Sequence, residues 1–235
     1  MGPLIHLVRH AQAVHNLTVL NHGMHDPALT PHGENQCLEL QSKFPYHESV
    51  DLLVCSPLQR TIQTTLLAFE PELSRGVQCI ALPEVQETSD LPCDTGSNVA
   101  TLKEKFKNKP VDLSLLSEDW DSKTGKWAPR QEAIERRCRD ARKWLKTRDG
   151  KAIVVVTHGG LLHYLTEDWA GCEIVPGSAG TGWENTEFRS YRFVDGDDQD
   201  ASIEETAESR QRRGNEDKPL TKEERTQMRE TVTTT

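Results

Sequence analysis

The chain has 235 residues, 35% of them hydrophobic, with 37 acidic against 28 basic residues and a formal charge of −9. That length accommodates one sizeable α/β domain with its own core, and the negative balance argues against a nucleic-acid or anionic-membrane partner. No apolar stretch approaches the roughly 20 residues of a membrane span, no basic segment precedes the first apolar run, and six cysteines without CxxC spacing read as reduced thiols, so a cytoplasmic location is expected.

The first predicted element is Leu4-Ile5-His6-Leu7-Val8, a run short and apolar enough to be a central strand buried on both faces. It ends in Arg9-His10, followed by Ala11 and Asn16. Ligands of open α/β sheets bind beyond the carboxyl ends of such strands, so a fixed cation and an imidazole stand where an anion would be met. Taken alone, an Arg-His pair is more often an ordinary hydrogen-bonded loop feature. Further on, Thr30 suits the cap of a helix that starts at Pro31 and carries Leu38 and Leu40 inward. Val50-Asp51-Leu52-Leu53-Val54-Cys55 is a second buried strand, with Ser56 as cap and Pro57 as first residue of a helix whose first turn holds Arg60.

Residues 77–82 read as another strand. From 84 to 130 the chain turns irregular and polar, with Trp120, Trp127 and the lysines 103, 105, 107 and 109; it reads as a lid-like insertion, its lysines a solvated face. Ile134, Cys138, Ala141 and Leu145 mark a helix over 131–146. Ala152-Ile153-Val154-Val155-Val156 is a third buried strand, ending in Thr157-His158-Gly159-Gly160 before a helical stretch over 161–169. Backbone N–H groups freed at such a glycine-rich helix start favour an anion. An alternating strand over 187–194 closes the domain.

Three strand ends thus deliver Arg9, His10, Arg60 and His158 to one sheet edge. Strands alternating with helices predict a three-layer α/β/α fold with a mostly parallel sheet. The domain is expected to occupy 1–194. Residues 195–235 hold twelve acidic and seven basic residues and no aromatic one, and are expected to form a charged, disordered tail, with transient helix over 218–230.

Leu7-Val8-Arg9-His10-Ala11-Gln12 with Asn16, Asp26-Pro27-x-Leu29-Thr30-x-x-Gly33-x-x-Gln36, Ser56-Pro57-x-x-Arg60-x-x-Gln63-Thr64 and Thr157-His158-Gly159-Gly160 together resemble the histidine phosphatase (phosphoglycerate mutase-like) superfamily. The resemblance spans residues 4–194. Val85-Gln86-Glu87 and the stretch from Pro92 to Ser97 look most like its fungal phosphomutase-like members.

The resemblance implies that His10 is a nucleophile that becomes phosphohistidine, and that Arg9, Asn16, Arg60, His158 and Gly159 bind the phosphoryl group. It also implies a carboxylic acid that protonates the leaving oxygen, for which Glu84 and Glu87 are the candidates. The aliphatic-polar-Glu pattern favours Glu87. Rigid guanidinium forks suit a phosphoryl transition state, which mainly needs its oxygens held and its nucleophile in line. The arginines should also lower the His10 pKa, with its other ring nitrogen donating to a backbone carbonyl, while His158 is better used charged. Gln36, Asp26 and Thr30 read as structural, and His15, His22 and His25 as loop residues that either face substrate or solvent. Nine histidines without HExxH, HxH or His-carboxylate spacing imply neither a metal nor a cofactor.

The expected activity is a metal-independent phosphatase acting on a small phosphorylated metabolite. A phosphoglycerate mutase is the alternative within the family, though residues holding a phosphoglycerate carboxylate are not found. A non-hydrolytic phospho-ligand binder or repurposed member is the alternative of another class.

Overall fold

The computed structural model describes residues 2–170, 172, 182–215 and 220–233. Its centre is a six-stranded sheet in the order β3-β2-β4-β1-β5-β6, formed by β1 (Leu4–Arg9), β2 (Val50–Cys55), β3 (Gln78–Ala81), β4 (Ala152–Thr157), β5 (Phe188–Phe193) and β6 (Ile203–Glu205). β3, β2, β4 and β1 run parallel, while β5 pairs antiparallel with β1 and β6 antiparallel with β5. The β2 and β4 runs are apolar on both faces because helices cover both. On one face α1 (Pro31–Lys43), α2 (Gln59–Ala68), which the short α3 (Glu70–Ser74) follows, and α4 (Val99–Lys105) pack Leu40, Ile62 and Leu102 against Val8, Leu53 and Val154. On the other, α5 (Gln131–Lys146) and α6 (Gly159–Thr166) pack Ile134, Leu145 and Leu162 against Leu7, Val54 and Val155. This is the expected α/β/α arrangement.

Local signals hold with instructive shifts. Thr30 caps α1, its hydroxyl accepting from the Gly33 N–H at 3.0 Å, but Cys37 and Leu40 face the core whereas Leu38 is 53% exposed. Helix α2 begins at Gln59 and not at Pro57. Ser56 is not its cap because the hydroxyl bonds His158 Nε2 at 2.8 Å, and Asp26 Oδ1 takes the Gln59 N–H at 2.9 Å instead. Asn98 caps α4, its side-chain oxygen accepting from the Thr101 N–H at 2.9 Å. The 84–130 insertion is packed into the core: Val99, Leu102, Phe106, Leu113, Leu116, Trp120 and Trp127 share one apolar cluster with the sheet. Gly96 is required there, since a Cβ on it would stand 2.0 Å from Trp120 Cη2.

The tail expectation is corrected. The sheet continues past residue 194 through β6, and α7 (Ala207–Arg212) follows under a Thr206 cap that accepts from the Ser209 N–H. Composition misleads because an edge strand needs few apolar side chains. Ala201 and Ile203 are buried, Glu204 points out, and Glu205 is neutralised by Arg213 at 2.6 Å. Beyond it, α8 (Lys222–Thr233) docks through Arg225, which donates to the Thr166 carbonyl at 3.1 Å, and Arg229, which pairs with Glu135 at 2.8 Å. No described helix is long and apolar enough to cross a membrane.

Candidate active site

β2, β4 and β1 are neighbours in the sheet, so their carboxyl ends open at one place. Arg9 is the last residue of β1, His10 follows it, Arg60 lies in the first turn of α2 beyond β2, and His158 directly follows β4. The structure brings all four together. The His10 and His158 rings stand 5.3 Å apart, and Arg60 donates from Nε to His10 Nε2 at 3.2 Å. Arg60 and His158 are wholly buried, and His10 is 2% exposed.

The His10 ring is fixed from its other side. Nδ1 donates to the Ala11 carbonyl at 2.7 Å, as expected, so Nε2 carries the lone pair. Burial, then Arg60, His15 and Arg9, hold the imidazole pKa well below its ordinary value. The result is a neutral imidazole with its lone pair beside a guanidinium.

His158 departs from expectation. Burial, Arg60 and His10 hold its pKa well below the ordinary value, which favours the neutral ring over the expected cation. Its Nε2 meets Ser56 Oγ, and its buried Nδ1 has no partner among the described residues. If the Ser56 hydroxyl donates to Nε2, neutral His158 still presents an Nδ1–H.

The guanidinium of Arg60 is held by the Cys93 carbonyl at 2.6 Å and by Asp94 Oδ1 at 3.0 Å. Arg9 donates through a terminal nitrogen to the Trp183 carbonyl, and its Nε has no partner among the described residues. Burial lowers its pKa, and Glu87 opposes that shift. The Arg9-His10 backbone is strapped from outside: Asn185 Nδ2 donates to the His10 carbonyl at 2.8 Å, and Thr186 N–H to that of Arg9 at 3.0 Å.

The two candidate carboxylates separate cleanly. Glu84 pairs with Lys126 at 2.6 Å. Glu87 instead reaches the start of α6, where Oε1 accepts from the Leu161 N–H at 2.9 Å and Oε2 from that of Gly160 at 3.3 Å. A Cβ on Gly160 would lie 2.8 Å from Glu87 Oε1, so any side chain there would displace the carboxylate. Burial and Asp94 raise the Glu87 pKa against the pull of Arg60. Gly159 is the first residue of α6, immediately after His158.

Asn16 is less direct than expected. Its Oδ1 accepts from the Ala13 N–H at 3.0 Å, and its Nδ2 contacts the His15 ring at 3.2 Å, so it shapes the loop that follows His10. Sequence reasoning missed the full roles of Asp94, Ser56, Asn185 and His15. It also missed Lys123, which adopts a left-handed φ of 53°, donates to the Glu87 carbonyl at 3.2 Å, and is pushed down to about 8 by burial and Arg137. A left-handed lysine without a glycine signature leaves no trace in the sequence pattern. Among the described residues, no group of three or more His, Cys, Asp or Glu side chains is disposed to hold a metal ion.

A neutral, oriented imidazole beside two guanidiniums, a second imidazole and a carboxyl group is an arrangement suited to phosphoryl transfer, set where the central parallel strands end. The family model of the histidine phosphatase superfamily (branch 1) matches residues 5–199, and the chain belongs to that superfamily. It is 30% identical over 231 residues to a phosphoglycerate mutase-like protein of Arabidopsis thaliana, covering 81% of this chain and 84% of the relative. A Schizosaccharomyces pombe protein named "Probable phosphatase" is 26% identical over 160 residues, 66% of this chain and 73% of its own. Among solved structures, mycobacterial glucosyl-3-phosphoglycerate phosphatase shares the fold at a TM-score of 0.54 and 17% identity, over 87% of this chain and 97% of that one. Ecdysone phosphate phosphatase of Bombyx mori does so at 0.54 and 14%, over 81% and 89%.

Proposed function

We propose that the protein is a metal-independent phosphatase that hydrolyses a small-molecule phosphate monoester through phosphohistidine on His10. The carrying observation is the His10 ring, with Nδ1 engaged by Ala11 and the Nε2 lone pair, which accepts from Arg60 Nε, turned to serve as the nucleophile. His10 Nε2 attacks phosphorus in line, the P–O bond to the leaving group breaks, and Arg9, Arg60 and His158 hold the oxygens left behind. Glu87, whose raised pKa favours the carboxylic acid, gives its proton to the departing alkoxide. The carboxylate so formed then takes a proton from water as that water attacks phosphorus, which breaks the P–N bond and releases phosphate. Asn16 supports the loop and Gly159 the phosphate-facing helix start.

The Schizosaccharomyces pombe relative is named a probable phosphatase, which favours hydrolysis over mutase chemistry. The substrate class is a phosphorylated metabolite of the cytoplasm, a compartment that suits six free cysteines. Phosphate release from a panel of monoesters, with and without EDTA, tests the reading. Isomerisation of 3-phosphoglycerate in the presence of 2,3-bisphosphoglycerate without free phosphate would replace it with the mutase.

A further inference from the structure

His15 neighbours the nucleophile and has no part in the chemistry above. It is 8% exposed, its ring 5.5 Å from that of His10 and 6.3 Å from that of half-buried His22. Its tautomer follows from Asn16. Because Asn16 Oδ1 accepts from the Ala13 N–H, the carboxamide orientation is settled, and Nδ2 must donate to His15 Nε2. A neutral ring that accepts at Nε2 carries its proton on Nδ1. That Nδ1 is buried and has no hydrogen-bond partner among the described residues. Burial, then Arg60, His22 and Arg9, hold the imidazole pKa down to about 2, so the donor stays neutral across the working pH range.

Buried donors without acceptors are uncommon and mark places where something else supplies the acceptor. The phosphoryl oxygens already face Arg9, Arg60 and His158. A neutral donor in the row His10, His15, His22, which leads from the buried nucleophile towards the surface, suits an uncharged oxygen beyond the phosphate. We propose that His15 is a substrate-binding residue that sets specificity, its Nδ1–H donating to a hydroxyl or ether oxygen on the organic part of the monoester. This rests on the phosphatase reading and narrows it, because polyol or sugar phosphates are then preferred to simple alkyl phosphates. Rejection of an analogue that lacks the acceptor follows from leaving the buried donor unpaired.

The test compares glycerol 3-phosphate with n-propyl phosphate. Wild-type protein should favour glycerol 3-phosphate in kcat/KM by about tenfold, the worth of one such hydrogen bond. His15→Phe should bring that ratio close to one, the loss falling on KM for glycerol 3-phosphate, with orthovanadate inhibition within about twofold of wild type. His15→Asn, which restores an N–H, should recover part of the preference, and His15→Ala carries the Phe expectation should the larger ring prevent folding. An unchanged ratio in both His15→Phe and His15→Ala overturns the assignment, as does a wild type with no preference. A parallel loss of orthovanadate affinity would place His15 on the phosphoryl group and also overturn it. If wild type releases phosphate from neither ester nor from p-nitrophenyl phosphate, the phosphatase reading itself falls, a result distinct from an active enzyme indifferent to His15.

Discussion

Mild acid should destabilise this protein through its neutral histidines. His6, His10, His15 and His158 are all under 10% exposed, and burial is the first cause that lowers each pKa, to about 4 for His6 and about 2 for His15. In the unfolded chain each returns to about 6.5. A depressed histidine pKa means that the unfolded state binds the extra proton, so stability is present above the unfolded pKa and drains away as pH falls below it. From pH 7 to pH 6 each such group costs about 0.7 kcal/mol, and four together about 3 kcal/mol, against a total of roughly 5–15 kcal/mol for a typical domain. Glu87, with its raised pKa, works the other way as a single group. Urea unfolding followed at pH 7.0, 6.5 and 6.0 without phosphate should show a midpoint that falls with pH at nearly constant m-value, and His10→Asn should flatten the slope by about a quarter. A flat or rising stability towards pH 6 would mean that these histidines are protonated in the folded protein, and the neutral nucleophile would be lost with them.

Arg60→Ala should lower kcat/KM by orders of magnitude in steady-state phosphate release, since it removes a buried cation from both His10 and the transition state. Glu87→Gln should cripple alkyl phosphates far more than p-nitrophenyl phosphate, whose phenolate departs with little protonation, while Glu84→Gln stays near wild type; equal small losses would place the acid elsewhere. Orthovanadate at about 100 times its Kd should add about 2.7 kcal/mol of stability by linkage, read as a raised Tm, and His158→Ala should reduce that gain. Gly96→Ala should cost about 1–3 kcal/mol in urea unfolding, because the new methyl group meets the buried Trp120 ring with no room to yield.

The buried strands and the residues at their carboxyl ends were legible because apolar runs and punctuating charged residues are local signals. Arg9, His10, Arg60 and His158 needed only the rule that parallel strands open on one edge. Glu87 was favoured over Glu84 by its aliphatic-polar-Glu pattern, but what sets the two apart in space, Glu87 at the α6 start and Glu84 against Lys126, was not legible in the sequence. Ser56 looked like a cap because its partner His158 is 102 residues away. Asn185 and Lys123 were invisible for a related reason: long-range hydrogen bonds and one left-handed backbone position carry no periodicity. Past residue 194, charge density hid an edge strand whose stability comes from backbone pairing with β5 and the Glu205–Arg213 pair.

The phosphorylated intermediate is the most direct test of the whole mechanism. Protein quenched during turnover of p-nitrophenyl phosphate, with Glu87→Gln used to slow the second step, should carry one phosphoryl group on the peptide that contains His10. The adduct should be lost in acid and kept in base, as a P–N bond requires, and absent from His10→Ala. A base-labile adduct, or labelling that survives in His10→Ala, would contradict phosphohistidine at His10.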